Sequence, residues 1–446
     1  MASTQLTRTA TSGTNTKATF SAWVKKADAN EQFLFYHFGS SANNFRIRFD
    51  PDTIGVQTLS SSSSVMHLNT SAKFRDPSAW MHIVVAIDST QATDTNRAKI
   101  YVNGVQQTSL SATTYPPQNQ NMHFNESATV YIGGQAGSNY FNGSMTHVHW
   151  IDGTAYDADD FGESDSVSGI WKPKTAPSVT YGTNGFFLKM ENSGAMGTDS
   201  SGNSNTFTVS GSLTQNVDTP SNNFATWNTQ INNGISGDWS NGNLTVAPNS
   251  DSAYLYAPIT IPVSNGKWYS EHMVTGGNGY GSIGFAGASK ISDVFRNGNE
   301  PGNNANTFAF RCIGGGIKMA DANTSYSSAP GTSSAILGIA VDIDNQKFWV
   351  SVNGTYVTYG GGVGNPAAGT YGFDWSSLSD DLGWLMICGD SEPNGYGNWK
   401  SNFGQGYFGT TAVASANADA NGYGAMEYAV PSGYYTICTK NLKEFG

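Results

Sequence analysis

Few side chains in this chain stand in a pattern that does chemistry. Glu163 and Asp165, in GESDSVSG, are carboxylates at alternate positions. Such a pair on one strand face can serve as nucleophile and acid/base in glycoside hydrolysis. The full set, Glu-x-Asp-x-x-Glu on one strand, lacks its third acid here. The segment also follows an Asp-rich turn, so it is expected outside a strand. The chain has no Gly-x-Ser-x-Gly elbow. It has no His-Glu-x-x-His helix and no phosphate-cradling glycine loop ending in Lys. The runs GGNGYGSIG and YGGGVG precede no helix and read as turns. No catalytic residue is assigned.

Binding residues are easier to nominate. His147 and His149 alternate by two, so they should share one strand face. Two imidazoles begin a metal site, but no third ligand is evident, and an ordinary strand surface is the favoured account of them. Asp199, Asn203 and Asn205 crowd oxygens into the tight turn TDSSGNSNT. Calcium takes roughly six to eight oxygen ligands, backbone carbonyls included, so a calcium ion is the cofactor this turn would hold. The alternative is an Asx-turn, in which these side chains bond their own backbone. The stretch CGDSEPNGYGNWKSNFGQ brings together Asp390, Tyr396 and Trp399. Its two aromatics would offer flat, amphipathic faces to a sugar or a partner. Otherwise their rings pack beneath the loop or at a subunit contact.

The elements that must position these residues are strands. AKIYVNGVQQT from Ala98 and KFWVSVNGTYV from Lys347 carry the same pattern twice: an alternating strand, Val-Asn-Gly, then more strand. Asn-Gly supplies the two φ > 0 residues of a type I′ hairpin. HIVVAID and LGIAVDID, just upstream, are dense apolar runs that suit strands buried on both faces. Elsewhere turn residues recur about every eight to twelve positions, as in an all-β sandwich. LSSSSSV at Leu59 reads as a flexible hairpin loop. The polar stretch Thr214–Asn228 separates two strand-rich halves, giving domains 1–217 and 218–446. From about Gly409 the composition turns small and polar before a last strand. That segment is expected to pack on the second domain; an oligomer contact or docking tail is the alternative.

Composition excludes further classes. A formal charge of −11, without clustered Lys and Arg, argues against a nucleic-acid surface. No apolar run approaches a membrane span, so no membrane insertion is expected. The amino-terminal MASTQLTRTATSG lacks the apolar stretch of a secretory signal. Three widely spaced cysteines make no disulfide framework.

FSAWVKK, WMHIVVAID, IYVNG, VYIGGQ, YFNGSMTHVHWIDG and TDSSGNSNTFT resemble, in order, the landmarks of laminin-G-like, concanavalin A-like jelly rolls. GKWYSEHMVTGG, GSIGFAG, ILGIAVDIDNQKFWVSVNG and SNFGQ resemble a SPRY domain. The resemblance implies an all-β fold of two tandem jelly-roll β-sandwiches, and for the first a calcium near the rim. The stretch from WIDGTAYDADDFG to FATWN, and the ending ANGYGAMEYAVPSGYYTICTKNL, are similar to a module of virion structural proteins of tailed bacteriophages, marine ones especially. This similarity implies a non-enzymatic virion protein (head decoration or fibre component), with other virion proteins as partners and a homo-oligomer (a trimer if fibre-like); the alternative is an adhesin that recognises a host surface glycan through the Tyr396–Trp399 loop.

Overall fold

The structure is a computed structural model. It describes residues 4–166, 168–231, 237–248, 256–276, 281–291, 302–303, 306–312, 315–319, 322–325, 334–390 and 397–446. The chain divides into two compact units, Met1–Gln215 and Asn216–Gly446. Both are β-sandwiches. Among the described residues, no helix is long and apolar enough to cross a membrane.

The first unit stacks an eight-stranded antiparallel sheet on a six-stranded one. The larger runs, in spatial order, through Leu110–Thr114, Ser63–Thr70, Thr53–Ser60, Asn44–Asp50, Gln32–Phe38, Thr129–Ile132, Gln5–Thr9 and Thr208–Ser210. The smaller runs through Phe186–Leu188, Gly143–Asp152, Lys17–Lys26, Met81–Asp88, Ala98–Val102 and Val105–Gln106. Alternation sends Phe20, Phe35, Phe45, Val85 and Trp150 into the space between them. There Phe35 stacks on Trp150 with centroids 4.3 Å apart.

The second unit repeats the plan. One sheet is built around Lys267–Thr275, Ile336–Asp342 and Lys347–Val352; the other around Trp384–Asp390, Gly281–Gly287 and Thr307–Arg311. Phe285, Phe308, Phe348 and Trp375 fill the space between.

The duplicated sequence pattern folds identically in the two units. Asn103 and Gly104 have φ of 49° and 81°, and Asn353 and Gly354 of 47° and 80°. These are type I′ tips, matched to the strand twist. Each Asn side chain also accepts the backbone N–H of the residue facing it across the ladder. That residue is His82 for Asn103, at 2.8 Å, and Ile336 for Asn353, at 2.9 Å. The match extends one strand further, where Lys17 pairs with Asp88 at 3.2 Å and Lys267 with Asp342 at 3.1 Å.

In each unit a later stretch of chain covers the outer face of this repeated sheet. In the first, Tyr156, Ala158, Phe161, Trp171 and Tyr181 pack on Val84, Ala86 and Tyr101. In the second, Met426 and Tyr434 pack on Tyr269, Ala340 and Trp349. The last strand, Tyr435–Thr436, runs parallel to Trp268–Tyr269, and a short helix, Thr439–Phe445, closes the chain.

The serine run is tighter than a flexible loop. Ser60 pairs with Ser63, leaving a two-residue turn in which Ser61 and Ser62 have φ of 49° and 67°. An L-residue in the left-handed region costs roughly 1–2 kcal/mol, and Asn-Gly relieves that cost. The double variant S61N/S62G is therefore expected to raise unfolding stability by about 1 kcal/mol. Urea titration checks this, and an unchanged midpoint would contradict the assignment.

Candidate functional site

Each nominated residue has a definite place. Glu163, expected outside a strand, lies in the short strand Gly162–Ser164, paired with Trp171–Pro173. Lys172 on the partner strand sits 3.5 Å from Glu163 and 3.2 Å from Asp165. One lysine thus bridges both acids on a surface hairpin, which is no setting for an acid/base pair.

His147 and His149 do reach the same face, with both rings against Phe187, but through a bulge rather than a regular strand surface. A bulge sets Thr146 opposite Trp23 but His149 opposite Ser21, and His147 takes φ of 50° within it. The extra residue interrupts the ladder locally, yet the His147 ring stays 5.7 Å from Phe187. His149 is buried, stacked 3.9 Å from Phe187, with Nδ1 3.0 Å from the Tyr181 hydroxyl. Burial holds its pKa well below the ordinary value.

Two buried Ser–His pairs escaped the sequence reading. His82 Nε2 lies 2.8 Å from Ser21 Oγ, and Trp171 Nε1 donates to His82 Nδ1 at 3.0 Å. Since Nδ1 accepts, Nε2 carries the proton and donates to the serine. The imidazole is therefore oriented against acting as base for Ser21. In the second unit, His272 bridges Ser270 at 2.8 Å and Ser401 at 2.9 Å, and Trp227 Nε1 donates to Ser401. Burial lowers the pKa of His82 and of His272 to about 3. Both are neutral structural groups.

The Asp199 turn is satisfied from within. Asp199 Oδ1 accepts the N–H groups of Phe187 and Ser201; Oδ2 accepts Ser201 Oγ–H and the Asn205 N–H. The Asn203 and Asn205 amides both donate to the carbonyl of Gly185, and the Arg8 guanidinium donates to Asn205 Oδ1. Both Asp199 oxygens and Asn205 Oδ1 already serve donors, and the Arg8 guanidinium stands beside them. The residues do not fit a calcium ion; they form the Asx-turn.

Trp399 corrects a second expectation. It lies in the strand Asn398–Asn402 and is fully buried, with Nε1 donating 3.0 Å to the carbonyl of Gly389. Its ring presents no face to a ligand. Asp390 ends the neighbouring strand, opposite Gly281. Tyr396 lies outside the described residues.

Glu271 was not singled out from the sequence. It sits on the outer face of the repeated sheet, buried beneath the carboxy-terminal segment. Its carboxylate accepts the N–H groups of Glu427 at 2.7 Å and Tyr428 at 2.8 Å. The Tyr269 hydroxyl donates at 3.1 Å. Burial pushes its pKa up to about 7 against these bonds.

The candidate binding surface is the outer face of the eight-stranded sheet. Tyr131 faces Tyr36, Tyr36 faces Arg46, Arg46 faces Gln57, and Gln57 faces His67 across successive strands. The inward partners on those strands, Val130, Phe35, Ile47, Val56 and Leu68, belong to the core. Alternation in FLFYHF, NFRIRFD and SVMHLNT carried this signal, but only the pairing register aligns it into one row.

The family-model match falls on the same half of the chain. Residues 2–159 match the model of the concanavalin A-like lectin/glucanases superfamily. The chain matches none of the curated proteins. Among solved structures, the SPRY domain of human HERC1 is similar at 10% identity and a TM-score of 0.30, covering 39% of this chain and 96% of that one. A heptameric SAP-like pentraxin from Limulus polyphemus is similar at 15% identity and 0.27, covering 35% and 72%. Another human SPRY domain gives 14% and 0.26, covering 35% and 89%.

Three outcomes follow from this geometry. W399A should lose about 3–5 kcal/mol of stability as a core truncation, and chelation with EDTA should leave the thermal midpoint of the native chain unchanged. A chelator-sensitive midpoint would restore the calcium site. Glu271, with its folded pKa raised, binds its proton more tightly in the folded state than in the unfolded one. Its contribution is thus fully present below the usual carboxylate pKa and is lost as pH rises through about 7. The stability of E271Q relative to the native chain should therefore rise between pH 4.5 and 7.5, by on the order of 1–3 kcal/mol. Paired denaturant titrations across that range would show it; a constant difference would contradict it.

Proposed function

We propose that this chain is a non-enzymatic structural protein of a virion. In this reading it is made in the host cytoplasm and displayed on the particle surface as a head decoration or fibre component. The observation that carries the proposal is the carboxy-terminal segment. It bears the resemblance to phage virion modules, and it is built into the second sandwich by Glu271 rather than hanging from it as a tail. The side chains with chemical potential support the non-enzymatic part. The paired acids share one lysine, and the Ser–His pairs are buried and oriented as structural ties.

A second reading, a receptor-binding adhesin recognising host surface glycans, is favoured by the open polar face of the eight-stranded sheet. That the matched superfamily includes lectins is consistent with it.

The particle reading includes assembly as a homotrimer with other virion proteins as neighbours. Antibody to this chain should label intact particles in electron micrographs, and light scattering should give three times the 47.4 kDa chain mass. Unlabelled particles would overturn the location, and a monomeric mass on its own would overturn the trimer.

A further inference from the structure

The cross-strand row on the eight-stranded sheet has features that its own neighbours do not satisfy. Strands in a sheet lie about 4.8 Å apart, so the five residues from Tyr131 to His67 span roughly 19 Å. Flat rings stand at one end and hydrogen-bonding groups at the other. Arg46 is the cation at the centre. Its Nε donates 3.0 Å to Gln57 Oε1, and its Nη2 donates to the same oxygen. A guanidinium carries five N–H donors, and among the described residues no carboxylate lies within ion-pair distance of Arg46. Arg48, on the same strand, differs: it is held 3.0 Å from Glu31 and 3.0 Å from Asp50. Beyond Gln57, His67 Nε2 and Asn69 Oδ1 are shielded from solvent and have no hydrogen-bond partner. Leaving such atoms unpaired is costly. Gly55, which pairs with Asn69, puts no side chain between that residue and Arg48.

We propose that this row binds an extended acidic polysaccharide. A sugar carboxylate sits on Arg46, hydroxyls reach His67 and Asn69, and a pyranose face lies on Tyr131. The proposal deepens the glycan-recognition reading and is independent of where the chain sits on a particle. A chain of pyranoses matches the row because each ring offers a C–H face to an aromatic and a hydroxyl rim to polar groups. The negative charge follows from Arg46, whose guanidinium holds no direct carboxylate partner among the described residues because the nearby Glu31 and Asp50 are engaged by Arg48. The chain as a whole carries −11, so its general field repels a polyanion, and retention must come from a local site.

The test is affinity electrophoresis of the full chain through gels containing polygalacturonate, with dextran gels as the neutral reference. The native chain should be retarded by polygalacturonate and not by dextran. R46Q should weaken the retardation at least tenfold, and Y131A should weaken it too; circular dichroism checks that each variant folds. Should R46Q fail to fold, Y131A and H67A on partly exposed positions carry the same test. No retardation of the native chain by polygalacturonate overturns the proposal, as does equal retardation of native chain and folded variants. Retardation by dextran that is unchanged in R46Q would overturn the acidic site while leaving glycan recognition standing.

Discussion

A two-sheet sandwich buries the inner faces of its sheets. In both halves of this chain the outer face of the repeated sheet is also too apolar to meet water. Val84, Ala86 and Tyr101 in the first unit, and Ala340 and Trp349 in the second, are buried on that side. The chain must return to cover them. Much of what separates the two units from a bare sandwich follows from that requirement, because burying the face is strongly favourable.

Covering a sheet brings polar groups with it, and they must find partners once water is gone. The two units solve this at equivalent positions. Ser21 faces Val84 across the ladder in the first, and Glu271 faces Gly338 in the second. Ser21 engages His82, which Trp171 of the covering segment fixes by its indole N–H. Glu271 receives two backbone N–H groups of the covering segment directly. Groups that resemble catalytic machinery in type are thus the fasteners of a third layer. The eight-stranded sheet differs: its outer face carries Tyr131, Arg46 and His67, which remain partly exposed, and there recognition chemistry is available.

The hairpins were legible in the sequence because Asn-Gly and strict alternation act locally; Asn103 and Asn353 adopt the backbone those signals demand. The all-β class was legible for the same reason. The site was less so. Trp399 looked like a loop residue because Gly and Asn surround it, yet Trp399, Ser401 and Phe403 alternate inward as a strand would place them. The shared face of His147 and His149 was legible from their spacing, but the bulge between Thr146 and His149 and the burial of His149 were not, and nothing local in THVHW announces them. The binding row was invisible for a different reason. Tyr131 and Arg46 are aligned by long-range register, not by any spacing along the chain.

The central claim is that the carboxy-terminal segment is a structural layer of the second sandwich rather than an appendage. Native-state hydrogen exchange at the amides of Glu427 and Tyr428 tests it most directly, because exchange reports the free energy of local opening. The account predicts protection comparable to that of the strand Lys267–Thr275, on which the segment lies. Exchange at the rate of an exposed loop would mean that the segment opens independently of the core, and would contradict it.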